Sequence, residues 1–194
     1  MESSFRKRAQ IVVEVARTID QIAQAFVIRG LVYIGEQACP YDEEFDGNDM
    51  VSTHLIGYIG KEPAGTLRLR WFADFVKVEH VAVRQELRRI GVCRALSDRA
   101  TDIAARKGFC LLYATAQADK LPMWAKLGFR PSNKPRFAFS DYEYVPIERR
   151  IEIAADRIDH TGPDLVLIRP EDDWNRPGIL DRSAERGSPT SKVA

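Results

Sequence analysis

The sequence lacks the features of membrane, secreted and nucleic-acid-binding proteins. No apolar run approaches the ~20 residues that cross a bilayer, and no apolar segment follows the charged residues 1–8, so we expect neither a membrane anchor nor a secretory signal. The three cysteines, Cys39, Cys93 and Cys110, are widely spaced, which indicates a reduced, cytoplasmic protein without disulfides. A net charge of +1 is far from the basic excess of a nucleic-acid binder.

The 194 residues have the composition of a globular chain. Hydrophobic residues make up 45% and charged residues 29%, which is enough to build a core without a disulfide or a metal. His54 and His160 have no neighbouring Cys, His or acid at ligand spacing, so no metal site is predicted.

The apolar pattern predicts a mixed α/β chain with a central antiparallel meander. We expect helices after Thr18 and over 91–107 and 119–127. The acidic segment over 36–49 holds six acids and no Lys or Arg, and it is predicted as a loop that could include a short helix. The predicted strands cover 11–16, 54–60, 66–72, 75–83, 110–116 and parts of 136–153, with a hairpin turn over 61–65. Strict alternation in 75–83 places Lys77, Glu79, Val81 and Val83 on one face and Val78, His80 and Ala82 on the other.

A basic turn between a strand and a helix carries the clearest chemical signal. The stretch from Arg84 to Lys107 holds seven basic residues and three acids, and a glycine, Gly91, lies where the helix begins. Free backbone N–H groups at a helix start bind anions, so this turn fits a phosphate-bearing ligand. On charge alone, a solvated surface is the simpler alternative. Neither a P-loop nor a dinucleotide glycine pattern is present.

Two motifs, in this order and spacing, resemble the GNAT superfamily of N-acetyltransferases. Arg88-Arg89-Ile90-Gly91-Val92-Cys93 resembles the family's Arg/Gln-x-x-Gly-x-Gly/Ala signature, and residues 123–131 resemble its Phe-Tyr-x-x-x-Gly-Phe element. Residues 29–49 are similar to ElaA-like members. The resemblance implies a GNAT-like acyl-CoA-binding domain over 1–150 and a C-terminal extension over 151–194.

The family fold is an α/β (α+β) mixed, mostly antiparallel twisted sheet with helices on both faces. Its fourth and fifth strands splay apart around acetyl-CoA, and these are 75–83 and 110–116 here. No metal is implied. The residues implied to bind CoA are Val81, Ala82, Val83, Arg88, Arg89, Ile90, Gly91, Val92, Cys93, Arg94, Trp124 and Lys126.

Two positions depart from the family pattern. Cys93 replaces a glycine or alanine, and it is most simply a small buried thiol. Trp124 stands where many members carry a tyrosine that protonates the leaving CoA thiolate, and an indole N–H is not a practical acid. Tyr113 or Tyr142 could replace that tyrosine, or the thiolate could leave without help.

The general base is predicted among two neighbours, Glu79 and His80, of which at most one faces the acceptor if the strand alternates. Glu79 could instead be a strand residue paired with Arg68 or Arg70, and His80 a packing histidine. The acids of 36–49 would attract a cationic amine, and the alternative is a solubilising loop.

The predicted reaction is direct attack of a primary amine, from a small molecule or a peptide, on acetyl-CoA. The alternatives are an acyltransferase like the acyl-homoserine-lactone synthases, a non-catalytic acyl-CoA-binding sensor, and an interaction protein without a ligand. Nucleic-acid and membrane partners are not expected. Leu165–Ile168 is predicted as an edge strand that a second copy could cover in a homodimer, and the tail over 183–194 is expected to be flexible.

Overall fold

An eight-stranded sheet forms the centre of the protein, which a computed structural model describes over residues 10–139 and 142–186. The strand order is β1-β2-β3-β4-β5-β8-β6, with β7 also paired to β8, and only the β4–β5 pair is parallel among these described strands. The strands are β1 (Ile11–Val15), β2 (Thr53–Ile59), β3 (Glu62–Trp71), β4 (Val76–Val83), β5 (Leu111–Gln117), β6 (Arg130–Pro131), β7 (Phe137–Phe139) and β8 (Tyr142–Arg150). The predicted mixed, mostly antiparallel sheet is confirmed.

The helices begin and end where local sequence signals place them. The first helix starts at Thr18, whose hydroxyl accepts the Gln21 N–H at 3.2 Å. The long third helix lies between Gly91 and Gly108, both of which adopt the left-handed conformation. The helices are α1 (Ile19–Arg29), α2 (Tyr41–Glu44), α3 (Val92–Arg106), α4 (Leu121–Lys126), α5 (Asp164–Leu167) and α6 (Ile179–Ala184), and a π-helical segment over Gly30–Glu36 continues α1.

Helices cover both faces of the sheet. On one face, α3 packs Leu96 and Ile103 against buried leucines of β2 and β3. On the other face, Ile28 of α1 and Val32 of the π-helical segment pack on Ala82 of β4. Alternate strand residues therefore serve two separate cores, as the period of two requires.

Gly65 of β3 allows α3 to pack unusually close to the sheet. A Cβ at Gly65 would lie 2.8 Å from Val92 Cγ1 and 2.9 Å from the Ala82 carbonyl oxygen, which is closer than real Cβ atoms approach. The first turn of α3 can therefore rest directly on β3 and β4. This contact brings the start of the helix beside the end of β4.

The two central strands separate soon after they meet. Within the described residues, β4 and β5 pair only at Val76–Leu112 and Lys77–Tyr113. Beyond these pairs, β5 continues antiparallel to β8, and β4 continues along β3. The predicted splay is confirmed, and it opens a gap between β4 and β5.

Two predicted elements need correction. The hairpin turn predicted over 61–65 is shorter, because β3 already begins at Glu62. The strand predicted at Leu165–Ile168 is wrong, because Asp164–Leu167 is a helical turn after Pro163. A short apolar run without alternation fits either structure, and the proline favours the helix start.

The C-terminal extension packs on the rest of the molecule. Trp174 is buried in the main core, and the Glu171 carboxylate accepts from Thr53 Oγ1 at 2.7 Å and from Lys107 Nζ at 2.6 Å. The division at residue 150 and a homodimer stay predictions. Of the tail predicted to be flexible, residues 187–194 lie outside the described residues. In the part of the chain that the structure describes, no helix is both long and apolar enough to span a membrane.

Candidate functional site

A cavity of about 1100 Å³ opens in the gap between β4 and β5. Its wall is built by the π-helical segment and the loop after it, by β4 and the turn that follows, and by β5, α4, β7 and β8. All of the residues predicted to bind CoA line this cavity except Ala82, which is buried on the α1 side, and Ile90, which is 51% exposed at the surface. Their binding role stays a prediction.

One end of the cavity is basic and rich in backbone N–H groups. Arg88, Arg89, Arg94 and Lys126 line this basic end. No side chain of the described residues caps the start of α3, so its first N–H groups keep their hydrogen-bonding capacity. The positive φ angles of Arg89 (66°) and Gly91 (108°) shape the turn in front of the helix. This arrangement suits an anion such as a phosphate.

Side chains from the segment after α1 reach across the gap between β4 and β5. Arg88 donates from Nη2 to Glu36 at 2.6 Å and from Nε to the Val83 carbonyl at 2.9 Å. Gln117 Nε2 of β5 donates to Gln37 Oε1 at 3.1 Å. Glu36 therefore already pairs with Arg88, one of the arginines that an anionic ligand would use.

A bulge in β4 breaks the alternation that the sequence predicts. Arg68 pairs with Glu79 and Thr66 pairs with Ala82, so His80 and Val81 both stand opposite Leu67. His80 has a φ of 45°, a left-handed backbone that non-glycine residues seldom adopt. As a result, Glu79 and His80 both line the cavity. The expectation that these two residues point to opposite faces of the strand is wrong, and which of them faces an acceptor stays a prediction.

The acidic end of the cavity is formed by Glu43, Glu44, Asp46 and Glu79. The first three come from the acidic segment over 36–49, in which Tyr41–Glu44 forms a short helix of the kind the sequence left open. Glu44 is buried, whereas an ordinary solubilising loop would keep its acids in water. Lys77 also lines the cavity and lies 2.5 Å from Glu79 Oε1.

Two buried arginines hold the acids in place. Arg29 is fully buried and donates to Glu44 Oε1 and to Asp49 Oδ1, each at 2.5 Å. Its guanidinium also stands over the rings of Phe26 and Phe45, at 5.4 Å and 5.3 Å from their centroids. A buried charge is tolerated only when it is paired and hydrogen-bonded, and Arg29 meets both conditions.

Arg68 is the second arginine. It is buried in the middle of β3 and donates to Asp46 at 2.6 Å, to Asp49 at 2.9 Å and to Glu79 at 2.7 Å. Arg29, Arg68, Glu44, Asp46, Asp49 and Glu79 together form what we call the buried ion network.

The network keeps its acids charged. Hydrogen bonds from Arg68 hold the pKa of Asp46 far below its ordinary value. Burial alone would raise the pKa of Asp49 and of Glu79, but hydrogen bonds from Arg29 and Arg68 outweigh it at Asp49, and those from Lys77 and Arg68 outweigh it at Glu79. Both carboxyls are therefore anions at neutral pH.

His80 stands between the ion network and the open cavity. Its Nδ1 lies 3.2 Å from Glu44 Oε2, and its Nε2 lies 3.8 Å from Asp46 Oδ2. The ring of Tyr33 meets the imidazole edge-on at 5.7 Å, and the Tyr33 hydroxyl donates to the Val81 carbonyl at 2.9 Å. Burial raises the pKa of Tyr33 far above its ordinary value, so this phenol stays protonated.

The aromatic residues around the gap differ in whether they reach the cavity, where the family's tyrosine would act. Trp124 is buried against Phe129, with 5.0 Å between the rings, and also lines the cavity. Tyr142 lines the cavity, but Tyr113 lies outside its wall, against Phe75 and Lys134. Burial raises the pKa of the Cys93 thiol, which is half-buried on the cavity wall.

Sequence reasoning missed Arg29 and Tyr33 as site residues, and it included Glu44 only as one of the six acids of the acidic segment. The available signal was helical spacing, because Ala25, Ile28 and Arg29 form the buried face of α1. An arginine on that face needs buried acids, and the following segment supplies them. Among the described residues, no group of three or more His, Cys, Asp or Glu side chains could hold a metal ion.

Comparisons with known proteins agree on one family. The family model described as "Acetyltransferase (GNAT) family" matches residues 20–129, which is more than half of the chain. A protein of Bacillus subtilis (strain 168) named "Uncharacterized N-acetyltransferase YjcF" is 32% identical over 127 residues, covering 63% of this chain and 88% of that protein.

Solved structures share the fold. Escherichia coli ElaA is 21% identical with a TM-score of 0.64, over 72% of this chain and 99% of that chain. A GNAT family acetyltransferase from Elizabethkingia anophelis, solved with acetyl-CoA bound, is 12% identical with a TM-score of 0.55, over 73% of this chain and 98% of that chain.

Proposed function

The chain belongs to the GNAT family of acetyltransferases, and from this premise we propose that it moves an acetyl group from acetyl-CoA to a primary amine that carries a second positive charge. The resemblance stated from the sequence is thereby confirmed at the level of the family, and acyl transfer follows from it. The identity of the acyl donor and of the acceptor belongs to the proposal. Its main support is the polarity of one continuous cavity, basic at one end and acidic at the other.

The basic end fits the phosphates of CoA. The uncapped start of α3 would bind the pyrophosphate through backbone N–H groups, and Arg88, Arg89 and Arg94 would neutralise its charge. The pantetheine arm would run along β4 near Val81 and Val83, in the gap that β5 leaves open. The neighbour from Elizabethkingia anophelis, which has acetyl-CoA bound, supports this co-substrate.

The acidic end fits a cationic acceptor. Within the described residues that line or back this end, there are more carboxylates than cations. The carboxylates are Glu43, Glu44, Asp46, Asp49 and Glu79, and the cations are Arg29, Arg68, Arg70 and Lys77. A second ammonium on the acceptor would balance the excess, and the fixed anions would hold it without reorganisation. A neutral amine of the same length would lack this attraction.

The reaction needs alignment more than acid catalysis. The amine nitrogen attacks the thioester carbonyl carbon, the C–N bond forms, and the C–S bond breaks with its electron pair on sulfur. Backbone N–H groups beside the β4 bulge would stabilise the oxyanion, because the strand ladder is interrupted there. A thiolate leaves readily near neutral pH, so Trp124 need not act as an acid.

The first test is binding of the acyl donor. The melting temperature is measured with acetyl-CoA, butyryl-CoA or an acylated carrier protein in excess. At one hundred times the dissociation constant, acetyl-CoA adds about 2.7 kcal/mol, or roughly 5–10 °C for a chain of this size. Arg89→Gln should weaken the shift, whereas Arg130→Gln, which removes an exposed charge outside the cavity wall, should not. No shift with any CoA would overturn the proposal, and a shift with the carrier protein alone would favour the carrier-dependent alternative.

The second test compares two acceptors of equal length. Thiol release from acetyl-CoA is measured with 1,3-diaminopropane and with butylamine, which carries a methyl group where the diamine has its second nitrogen. We expect kcat/KM to be about tenfold higher for the diamine, because one retained charge contact is worth roughly 1.4 kcal/mol. Equal rates would refute the acidic end as the acceptor site, and donor binding without turnover would favour the non-catalytic sensor. A cytoplasmic location stays a prediction.

A further inference from the structure

We propose that Glu44 is a positioning residue that orients the His80 imidazole, so that Nε2 of His80 faces the cavity and takes the proton of the attacking amine. The inference rests on the proposed function. It concerns how the proton leaves, and it separates the two candidate bases, Glu79 and His80.

Three residues are joined in a row behind the cavity. Arg29 Nε donates to Glu44 Oε1 at 2.5 Å, and Glu44 Oε2 lies 3.2 Å from His80 Nδ1. Arg29 and Glu44 are almost completely buried, and the His80 side chain is 15% exposed toward the cavity. The acid is thus fixed from behind by an arginine and faces the imidazole with its other oxygen.

This geometry selects one tautomer of the imidazole. An ionised carboxylate only accepts hydrogen bonds, so the nitrogen facing Glu44, Nδ1, carries the proton of the neutral ring. The lone pair then sits on Nε2, whose nearest acid, Asp46, is 3.8 Å away, beyond a direct hydrogen bond. An amine that enters beside Asp46 would find this lone pair free.

The other charged and titratable groups around the imidazole do not replace His80. Tyr33 uses its hydroxyl on the Val81 carbonyl. Glu79, the neighbour on β4, receives bonds from Arg68 of β3 and from Lys77, which lower its pKa and make it a weak proton acceptor. Asp46 is held by Arg68 through both of its oxygens.

The proton balance is simple. One proton moves from the substrate ammonium to His80 Nε2, and the freed nitrogen lone pair attacks the thioester carbon. After the C–S bond breaks, the amide nitrogen loses a second proton to water or to the departing thiolate. His80 returns its proton to solvent, so the net products are the acetylated amine, CoA thiol and one proton.

The tautomer can be measured without any substrate. The chain has three histidines, so ¹⁵N-histidine labelling gives few imidazole signals, and His80→Gln identifies the one that belongs to His80. We expect neutral His80 to carry its proton on Nδ1. Observation of the proton on Nε2 in the unmodified protein would overturn the inference, whatever the acyl donor proves to be.

Glu44→Gln should invert the tautomer while it keeps the buried arginine bonded. Because Arg29 needs an acceptor, the amide oxygen will face Arg29 and the amide NH₂ will face Nδ1 of His80. Nδ1 must then accept, and the proton moves to Nε2. Thermal melting shows whether this variant is folded, and the result for the unmodified protein remains decisive if it is not.

The kinetic test uses acetyl-CoA with 1,3-diaminopropane. Glu44→Gln should lower kcat/KM about 100-fold, which is within the range for a displaced general base.

The matched control is Asp42→Asn, which removes the same charge from an exposed position of α2 outside the cavity wall. It should leave the proton of neutral His80 on Nδ1. An equal effect of the two variants on the tautomer would contradict a specific role for Glu44. The two proposals can fail separately. Failure of the CoA or amine tests would refute the proposed function, whereas a proton on Nδ1 of neutral His80 would still support its orientation by Glu44.

Discussion

Replacement of Arg68 by methionine should destabilise the protein much more than the same change at Arg70. Both arginines lie on β3 and approach Glu79, but Arg68 is fully buried at 2.7 Å, whereas Arg70 is 3.9 Å away and partly exposed. Loss of one partner from a buried ion pair costs about 3–5 kcal/mol. The lower value applies here, because in Arg68→Met the carboxylate of Asp49 still pairs with Arg29 and that of Glu79 still pairs with Lys77.

A loss of about 3 kcal/mol corresponds to a fall in melting temperature of roughly 6–12 °C for a chain of this length. Arg70→Met should cost about 1 kcal/mol or less, which is under roughly 4 °C. The assay is thermal unfolding of the two variants side by side at pH 8 and pH 5. Both substitutions remove the same charge and a similar volume, so the comparison measures what burial and multiple ion pairing add at Arg68.

The pH dependence gives a second check on the same variants. In the unmodified protein the pKa values of Asp46, Asp49 and Glu79 lie below their ordinary values, so this stabilisation is present above about pH 4 and is lost as pH falls below it. Without Arg68, burial raises the pKa of the buried carboxyls, and that variant gains stability as pH falls. The fall in melting temperature caused by Arg68→Met should therefore be larger at pH 8 than at pH 5. Equal losses for the two variants, or a deficit that grows in acid, would refute the assignment of a buried ion network.

Two further predictions concern the entrance and the frame of the cavity. Glu36→Gln should tighten the binding of CoA, measured by calorimetry, by roughly 2- to 5-fold, because a surface ion pair that competes for Arg88 is removed; weaker binding would contradict that competition. Gly65→Ala should lower the free energy of unfolding by about 1–3 kcal/mol in denaturant titrations, because its Cβ would meet Val92 and a backbone oxygen. Gly30→Ala, where a Cβ would meet no described atom within 4 Å, should raise the free energy of unfolding by about 0.5–1 kcal/mol. A change in this free energy in the same direction for both variants would contradict the close approach of α3.

The features that could be predicted from sequence depend on short-range rules. The basic turn and Gly91 identify the start of α3, because a left-handed glycine and a helical pattern lie within a few residues of each other. The alternation of Leu67, Leu69 and Trp71 identifies β3 in the same way. These rules are local, so β3 and the basic turn before α3 are found without knowledge of the rest of the fold, whereas the splay of β4 and β5 is implied only by the family resemblance.

The features that escaped prediction depend on contacts between distant segments. The bulge at His80 needs two residues of β4 opposite one residue of β3, and period-two reasoning cannot foresee such an insertion. Arg29 and Glu44 become site residues only because α1 and the acidic segment meet over β3 and β4. Leu165–Ile168 is too short for its period to distinguish a strand from a helical turn.

The contacts of Arg17 bear on how the protein folds as it is synthesised. Its guanidinium donates to the Glu171 carbonyl at 2.7 Å and to Asp173 at 3.2 Å, which joins segments about 154 positions apart. A ribosome that adds about 5–20 residues per second needs roughly 8–30 s to pass from one segment to the other. Lys107 is made 64 positions before its partner Glu171, so Thr53 and Lys107 are both present for roughly 3–13 s before Glu171 is made, and the core waits about as long for Trp174. The nascent chain therefore exposes this side of its core until the extension has emerged, and chaperones have that interval in which to bind it.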